Sequence, residues 1–424
     1  MEAYAAVLTY AIPGFVGLII IESIASRLMG IPINRAMDTI SSLSSGLTNT
    51  LKDLLGLSVV IVSYGWMVDH LAIFEISSPL WLYALAFVLI DFASYWSHRF
   101  NHVINVFWNR HIVHHSSEEF NLSCALRQSI SGILGVYFFL YIPMAIVGIP
   151  AKVVAITAPL HLFAQFWYHT RLIGRMGFLE NIIVTPSHHR VHHAINPEYI
   201  DKNYAAIFII WDKLFGTFQE EIDDIPPVYG VKRAVRTWNP IIINYQHMWL
   251  LLQDTWRTKN WLDKARLWFM RTGWRPEDVQ KSHPVDVIDD VYQQDKYDSK
   301  PSINLRNWSW FQLVVSNLIM YYILVNIAQL SARDIVLAAS FLMLTIFSYT
   351  SLMDKDFIAI PAEFIKAGLG IFMIVSMGSW LNIDSLIPGG TLMISFYIFL
   401  SATLTMYFYL VEFRHFTQLS KTTI

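Results

Sequence analysis

Eleven of the fifteen histidines in this 424-residue chain lie between His98 and His193. They read H-R-F-N-H at 98–102, H-I-V-H-H at 111–115 and H-R-V-H-H at 189–193, with His161, His169 and His188 between. Residues three or four apart share one face of a helix, so each triplet can aim two or three imidazoles at one point. The chemistry this suits is metal binding. His98, His102, His111, His114, His115, His169, His189, His192 and His193 are the candidate ligands. Nine nitrogen donors exceed the four of a structural zinc, so the count calls for two metals. Imidazole suits iron, copper, zinc and nickel alike. Cys124 is the only cysteine, so a thiolate cage and an intramolecular disulfide are both excluded.

The elements that must position these residues are membrane helices. The chain is 54% hydrophobic and 15% charged, with a mean hydropathy of +0.42, against about a quarter charged in a soluble domain. A formal net charge of −2 gives no reason to expect nucleic acid. The first residues carry no basic stretch, so the first apolar run is expected to be a retained anchor. Apolar runs of spanning length, about 20 residues, fall at roughly 5–24, 54–74, 80–97, 130–149, 151–168, 308–330, 335–353, 357–381 and 387–411. The expectation is therefore an all-α, polytopic bundle of about nine spans with a histidine-rich di-metal cap on one face.

Gly148-Ile149-Pro150 makes runs four and five a hairpin, so the loops 98–128 and 169–307 share a face. Arg27, Arg35, Lys52, Arg99, Arg110, Arg127, Arg171, Arg175, Arg190 and Lys202 fall on that side, and the loop 70–79 carries no Lys or Arg. The positive-inside rule makes the histidine face cytosolic, with Arg414 and Lys421 also inside. The chain divides into N-terminal spans (1–79), a histidine core (80–220), a polar Trp-rich segment (221–307) and C-terminal spans (308–424). The Trp-rich segment suits either the membrane interface or the core of a small cap. Residues 282–301 read as a solvated acidic linker.

Asp91, Tyr95, His98 and His102 form one helical stripe. Asp91 is therefore expected to accept a ligand imidazole N–H, or else to anchor the bundle. Glu118 and Glu119 read as exposed surface. Thr185 and Pro186 read as N-cap and N1 of a short helix carrying the last motif. His188 reads as a ligand or a neighbouring support, and His161 as a ligand or a buried hydrogen-bonded histidine.

A site at the membrane face is placed to meet an alkyl chain rising from the lipid. Functionalising an unactivated C–H bond needs a redox metal and dioxygen, which favours two iron ions. A histidine-rich transporter would instead place ionisable residues along a mid-membrane path, and here the histidines collect at one face.

At these motifs the chain resembles the fatty acid hydroxylase/sterol desaturase superfamily of integral-membrane di-iron enzymes, which share HxxxH, HxxHH and a final HxxHH. The match is closer to its ether-lipid monooxygenase branch. The resemblance rests on D-F-A-S-Y-W-S-H-R at 91–99, H-H-S-S-E-E-F-N-L-S-C-A-L-R-Q-S at 114–129, T-P-S-H-H-R-V-H-H at 185–193 and D-K-N-Y-A-A-I-F-I-I-W-D-K-L-F-G-T-F at 201–218. It implies O2- and tetrahydrobiopterin-dependent hydroxylation beside the ether oxygen of a 1-O-alkylglycerol, with the hemiacetal collapsing to glycerol and fatty aldehyde. The alternative is a sibling enzyme acting on a sterol, a fatty acyl chain or a bacterial lipid, served by a separate reductase. The membrane would be endoplasmic reticulum in a eukaryote and inner membrane in a bacterium. Asp91, Tyr95, Asn121 and Arg127 are the expected catalytic side chains. Asn121, Arg127, Gln128, Asn203, Tyr204 and Asp212 are candidates for holding head group or reductant. Val103, directly after HxxxH, departs from the acidic residue of the branch's animal members.

Overall fold

The computed structural model describes residues 2–77 and 79–413. Among them there is no β-sheet, only helices and four isolated β-bridges. The chain opens with α1 (Glu2–Met29) and the serine-rich α2 (Ala36–Leu54), passes the short α3 (Tyr64–Leu71) and returns along α4 (Leu80–Val103). Single turns α5 (Asn105–Trp108) and α6 (Ile112–His115) precede α7 (Ile142–Val147) and α8 (Ala151–Phe163). The core closes with α9 (Pro186–His193) and α10 (Ile210–Phe215), and a polar section carries α11 (Pro240–Arg257), α12 (Trp261–Arg266) and α13 (Glu277–Ser282). Four long helices end the chain: α14 (Ile303–Val325), α15 (Ala332–Met353), α16 (Ala359–Met377) and α17 (Gly390–Phe408).

Among the described residues six helices are long and apolar enough to cross a membrane: α1, α4 and α14 to α17. The expected count of nine is thus not met by helices. Run 54–74 is helical over Tyr64–Leu71 and run 130–149 over Val136–Val147, with Gly56, Gly132 and Gly135 in the non-helical stretches, and glycine weakens a helix by about 1 kcal/mol. The 13-residue α8 spans about 20 Å at 1.5 Å per residue, short of a hydrocarbon core of about 30 Å.

The two broken runs satisfy each other's backbone. Val59 and Leu134 form a parallel bridge, Val59 N–H donates to Ile133 O at 2.8 Å, Gly135 N–H to Val59 O at 2.9 Å, and Ile73 N–H to Ile146 O at 2.8 Å. Such pairing is what non-helical backbone needs in apolar surroundings. Gly148 ends the second run in the left-handed region (φ +84°), where an added Cβ would meet the Phe74 carbonyl oxygen at 1.9 Å. The expected turn at Gly148-Ile149-Pro150 is present. Beyond it α8 packs back along α4, with Ile149, Val153 and Val154 against Leu82, Ala86 and Ile90.

The largest apolar core ties the chain's two ends together. Leu47, Leu51 and Leu54 of α2 join Ile319 and Ile323 of α14, Phe341 and Ile346 of α15, Met373 of α16 and Ile398 of α17. Inside the same bundle lies a polar network that the apolar runs did not announce. Glu363 pairs with Lys366 one turn on, Ser348 Oγ donates to Glu363 at 2.7 Å, and Lys366 and Gln312 both donate to Ser401 Oγ. Arg414 and Lys421 lie outside the described residues.

Candidate metal centre

Each histidine motif sits at an element end. His98 and His102 occupy the last turns of α4. His111 precedes the single turn α6, which carries His114 and His115. Thr185 and His188 form a capping box around Pro186 at the start of α9, presenting His189, His192 and His193. His169 follows α8.

The nine expected histidines come together in two groups. His98, His102, His111, His115 and His192 form one, and His114, His169, His189 and His193 the other. Within each group one ring nitrogen per residue lies within 4.8 Å of all the others. Both HxxHH motifs feed both groups, because adjacent residues on a helix turn point about 100° apart. No carboxylate belongs to either group.

The outer nitrogens are held by backbone carbonyls. His98 Nδ1 lies 2.7 Å from Tyr204 O, His192 Nδ1 3.0 Å from Lys202 O, His169 Nδ1 3.1 Å from Gln165 O and His114 Nδ1 3.3 Å from Arg127 O. Donation to these oxygens leaves each Nε2 as a bare acceptor facing inward. There the nitrogens confront one another: His98 Nε2 is 2.8 Å from His111 Nε2, and His189 Nε2 is 2.8 Å from His169 Nε2 and 3.1 Å from His193 Nε2. His102 Nε2, His115 Nε2 and His192 Nε2 are buried without a hydrogen-bond partner.

Buried polar atoms without partners are costly, and lone pairs facing one another repel. A cation in each group relieves both. Burial first, and then neighbouring imidazoles, push His111, His115, His169, His189, His192 and His193 well below the usual histidine range. Burial likewise takes His114 down to about 3. The rings are therefore neutral near pH 7, the form that binds metal. The donor set fits a pair of metal ions.

The carboxylates and polar side chains expected beside the chemistry make hydrogen bonds and ion pairs to backbone and side chains around the two groups. Asp91 reaches no imidazole of either group. It accepts from His161 Nε2 at 2.7 Å, from the N–H groups of Ile207 and Phe208 at 2.9 Å and from Trp211 Nε1 at 2.8 Å. It therefore pins the 207–211 segment to α4, and His161 is a hydrogen-bonded core histidine. Tyr95 is buried, its hydroxyl 3.0 Å from Thr217 Oγ1 and from Arg99. Asn121 caps its own turn, accepting from Ser123 and Cys124 and donating to Ile33 O. Asn203 donates to the His188 and Gln219 carbonyls. Asp212 accepts the N–H groups of Tyr204 and Ala205 at 2.8 Å, which fixes the carbonyl that orients His98. His188 belongs to neither group; its Nδ1 accepts the Thr185 N–H.

Arg127 is a strut. Its guanidinium, 2% exposed, pairs with Asp38 of α2 at 2.9 Å and donates to Ser42 Oγ and Ser116 Oγ, while its carbonyl orients His114. Glu118 and Glu119 are buried rather than exposed. Glu118 accepts the Tyr297 N–H at 2.7 Å and lies 3.5 Å from Arg35; Glu119 pairs with Lys296 at 2.7 Å. Part of the supposed linker is thus docked on the loop that follows HxxHH. Asp38 and the carbonyls of Tyr204 and Lys202 were not foreseen as parts of the site. Val103 packs into the apolar cluster around Tyr95 and Tyr204.

A profile described as fatty acid hydroxylase matches residues 83–217. The chain is 33% identical to the alkylglycerol monooxygenase of Homo sapiens over 89% of its own length and 84% of that protein's. It is 34% identical to that of Danio rerio over 85% and 80%. It is also 30% identical to the ornithine lipid hydroxylase OlsE of Rhizobium tropici, over 32% of this chain and 40% of that protein. No solved structure matches it. With the histidine motifs gathered into two groups, and the likeness running through the membrane helices well beyond them, the chain belongs to the alkylglycerol monooxygenase family.

Proposed function

We propose that this chain is a membrane di-iron monooxygenase that cleaves the O-alkyl bond of 1-O-alkylglycerol lipids. What carries the reading is the pair of buried imidazole groups at the end of a membrane bundle, in a chain that matches alkylglycerol monooxygenases over most of their length. The nine histidines would hold the irons, one in the group of five and one in the group of four. The iron pair supplies reductive activation of O2 when bound. Two electrons, from tetrahydrobiopterin or a reductase, and two protons balance insertion of one oxygen atom into the C–H bond beside the ether oxygen and release of the other as water. The hemiacetal then breaks its C–O bond to give fatty aldehyde and glycerol.

The protein's own residues hold and orient. The Tyr204, Lys202, Gln165 and Arg127 carbonyls keep four imidazoles turned inward. Asp212 and Asp91 fix the 204–211 segment behind them. The core 80–220 is the catalytic unit and the flanking spans present it to lipid, with the histidine face cytosolic.

The test is fatty-aldehyde release from a 1-O-alkylglycerol by purified protein carrying two irons, under air, with and without tetrahydrobiopterin. Pterin-dependent aldehyde is the expected result and shows that Val103 is tolerated. No aldehyde with either pterin or a reductase overturns the substrate assignment.

A further inference from the structure

The six tryptophans between 238 and 274 do not share one fate. Trp238 is core, and Trp268 and Trp274 are half-buried, whereas Trp249, Trp256 and Trp261 face outward, the last two 87% and 82% exposed. Tyr245, Trp249, Leu252 and Trp256 are all exposed and stand at i, i+4, i+7 and i+11 of α11, a single stripe along the helix. The opposite face of α11 buries Ile243, His247, Leu250, Leu251 and Asp254. Beyond the turn at 258–260 the exposed surface continues through Trp261, Leu262 and Phe269. Arg257, Lys259, Arg266 and Arg271 are exposed around it.

Its position is fixed by the membrane helices. Asn239, the N-cap of α11, donates to Phe347 O and Ser351 Oγ in the last turns of the spanning helix α15. Asn244 Oδ1 accepts the Ile130 N–H at 2.9 Å, where the second broken run begins. The apolar stripe therefore starts at the level where spans end, and α11 extends from there for about 27 Å at 1.5 Å per residue.

We propose that α11 and α12 lie in the bilayer interface on the histidine side, with the stripe and Trp261, Leu262 and Phe269 seated among lipid and the surrounding Arg and Lys residues on anionic head groups. Tryptophan at head-group depth and a basic rim are what such a surface requires. The same elements grip the connector between the first two histidine motifs. Asn105 N–H donates to Met270 O and Val106 N–H to Trp268 O, both at 2.9 Å, and His247 Nε2 lies 2.8 Å from Asn105 O. A lipid-seated elbow thus holds the stretch between His102 and His111 at the membrane surface.

The full chain, with Cys124→Ala as background, is tested with Trp256→Cys, Trp261→Cys and, as aqueous control, Asp289→Cys. Each is labelled with NBD and reconstituted in phosphatidylcholine/phosphatidylglycerol vesicles. The labels at 256 and 261 are expected to show blue-shifted emission, protection from iodide and at least about twofold more quenching by shallow doxyl lipid than the control, as for side chains about 5–10 Å into the head-group boundary. Iodide quenching equal to the control, without a doxyl response, overturns the proposal. Protection from both quenchers also overturns it and assigns the surface to a second copy of the chain. The exposed substitutions leave packing intact, and the readout does not depend on the reaction catalysed.

Discussion

His192 and His193 are neighbours in the chain and belong to different halves of the candidate metal centre. Their ring planes lie at 89°, with centroids 5.3 Å apart; His192 joins the group of His98 and His102, and His193 the group of His114 and His169. Their shared helix turn makes the spacing of the two halves a property of α9 itself. His114 and His115 divide in the same way on α6.

His192→Ala and His114→Ala should therefore each deplete one group while leaving the other three or four imidazoles in place. Bound iron is expected to fall and turnover to vanish, with membrane insertion unchanged. Iron counting and aldehyde assay on purified protein check this; full activity in either variant would remove that residue from the ligand set.

Arg127 and Asp38 act as a pair. Removing one partner of a buried ion pair costs about 3–5 kcal/mol, so Arg127→Met and Asp38→Ala should each lower the thermal midpoint strongly. The Arg127 carbonyl that orients His114 moves with its side chain, so iron affinity is also expected to drop by about 10–100-fold, the usual cost of losing a ligand's support. Stability loss with unchanged iron affinity would confine the pair to packing.

Asp91→Ala removes four acceptor contacts and strands four donors, the half-buried N–H groups of Ile207, Phe208 and Trp211 and the buried His161 ring nitrogen, each costing up to about 1–3 kcal/mol. His161→Phe leaves the remaining three bonds of Asp91 in place and should cost far less. If His161→Phe lost iron in the manner of His192→Ala, His161 would be a ligand after all.

Lys366→Met leaves Glu363 buried beside Ser348 without its cation. The expected loss is about 3–5 kcal/mol, with iron content per folded molecule unaltered. A double variant, Glu363→Gln with Lys366→Met, should recover much of it. The measurement is detergent thermal denaturation alongside iron counting; equal losses in single and double variants would show that the charges themselves do not matter.

Sequence alone was enough to single out the nine histidines that gather, which we propose bind metal, because helical spacing limits which imidazoles can converge. It also sufficed for a membrane bundle, since hydropathy acts residue by residue, and for the reversal at Gly148-Ile149-Pro150. The folded structure decided how the nine rings divide, because His114 and His115, or His192 and His193, part company only through the orientation of α6 and α9. It also decided which apolar runs become spanning helices: 54–74 and 130–149 are apolar enough, but each divides into a glycine-bearing non-helical stretch and a short helix, and the non-helical stretches pair at Val59 and Leu134. Asp91, Asn121, Arg127, Glu118 and Glu119 look catalytic or solvated in one dimension, because a polar residue beside a ligand motif has the same appearance whether it faces the metal or the backbone. Their partners, Ile207, Ile33, Asp38, Tyr297 and Lys296, are far away in sequence and appear only in the fold, where burial makes such hydrogen bonds the rule.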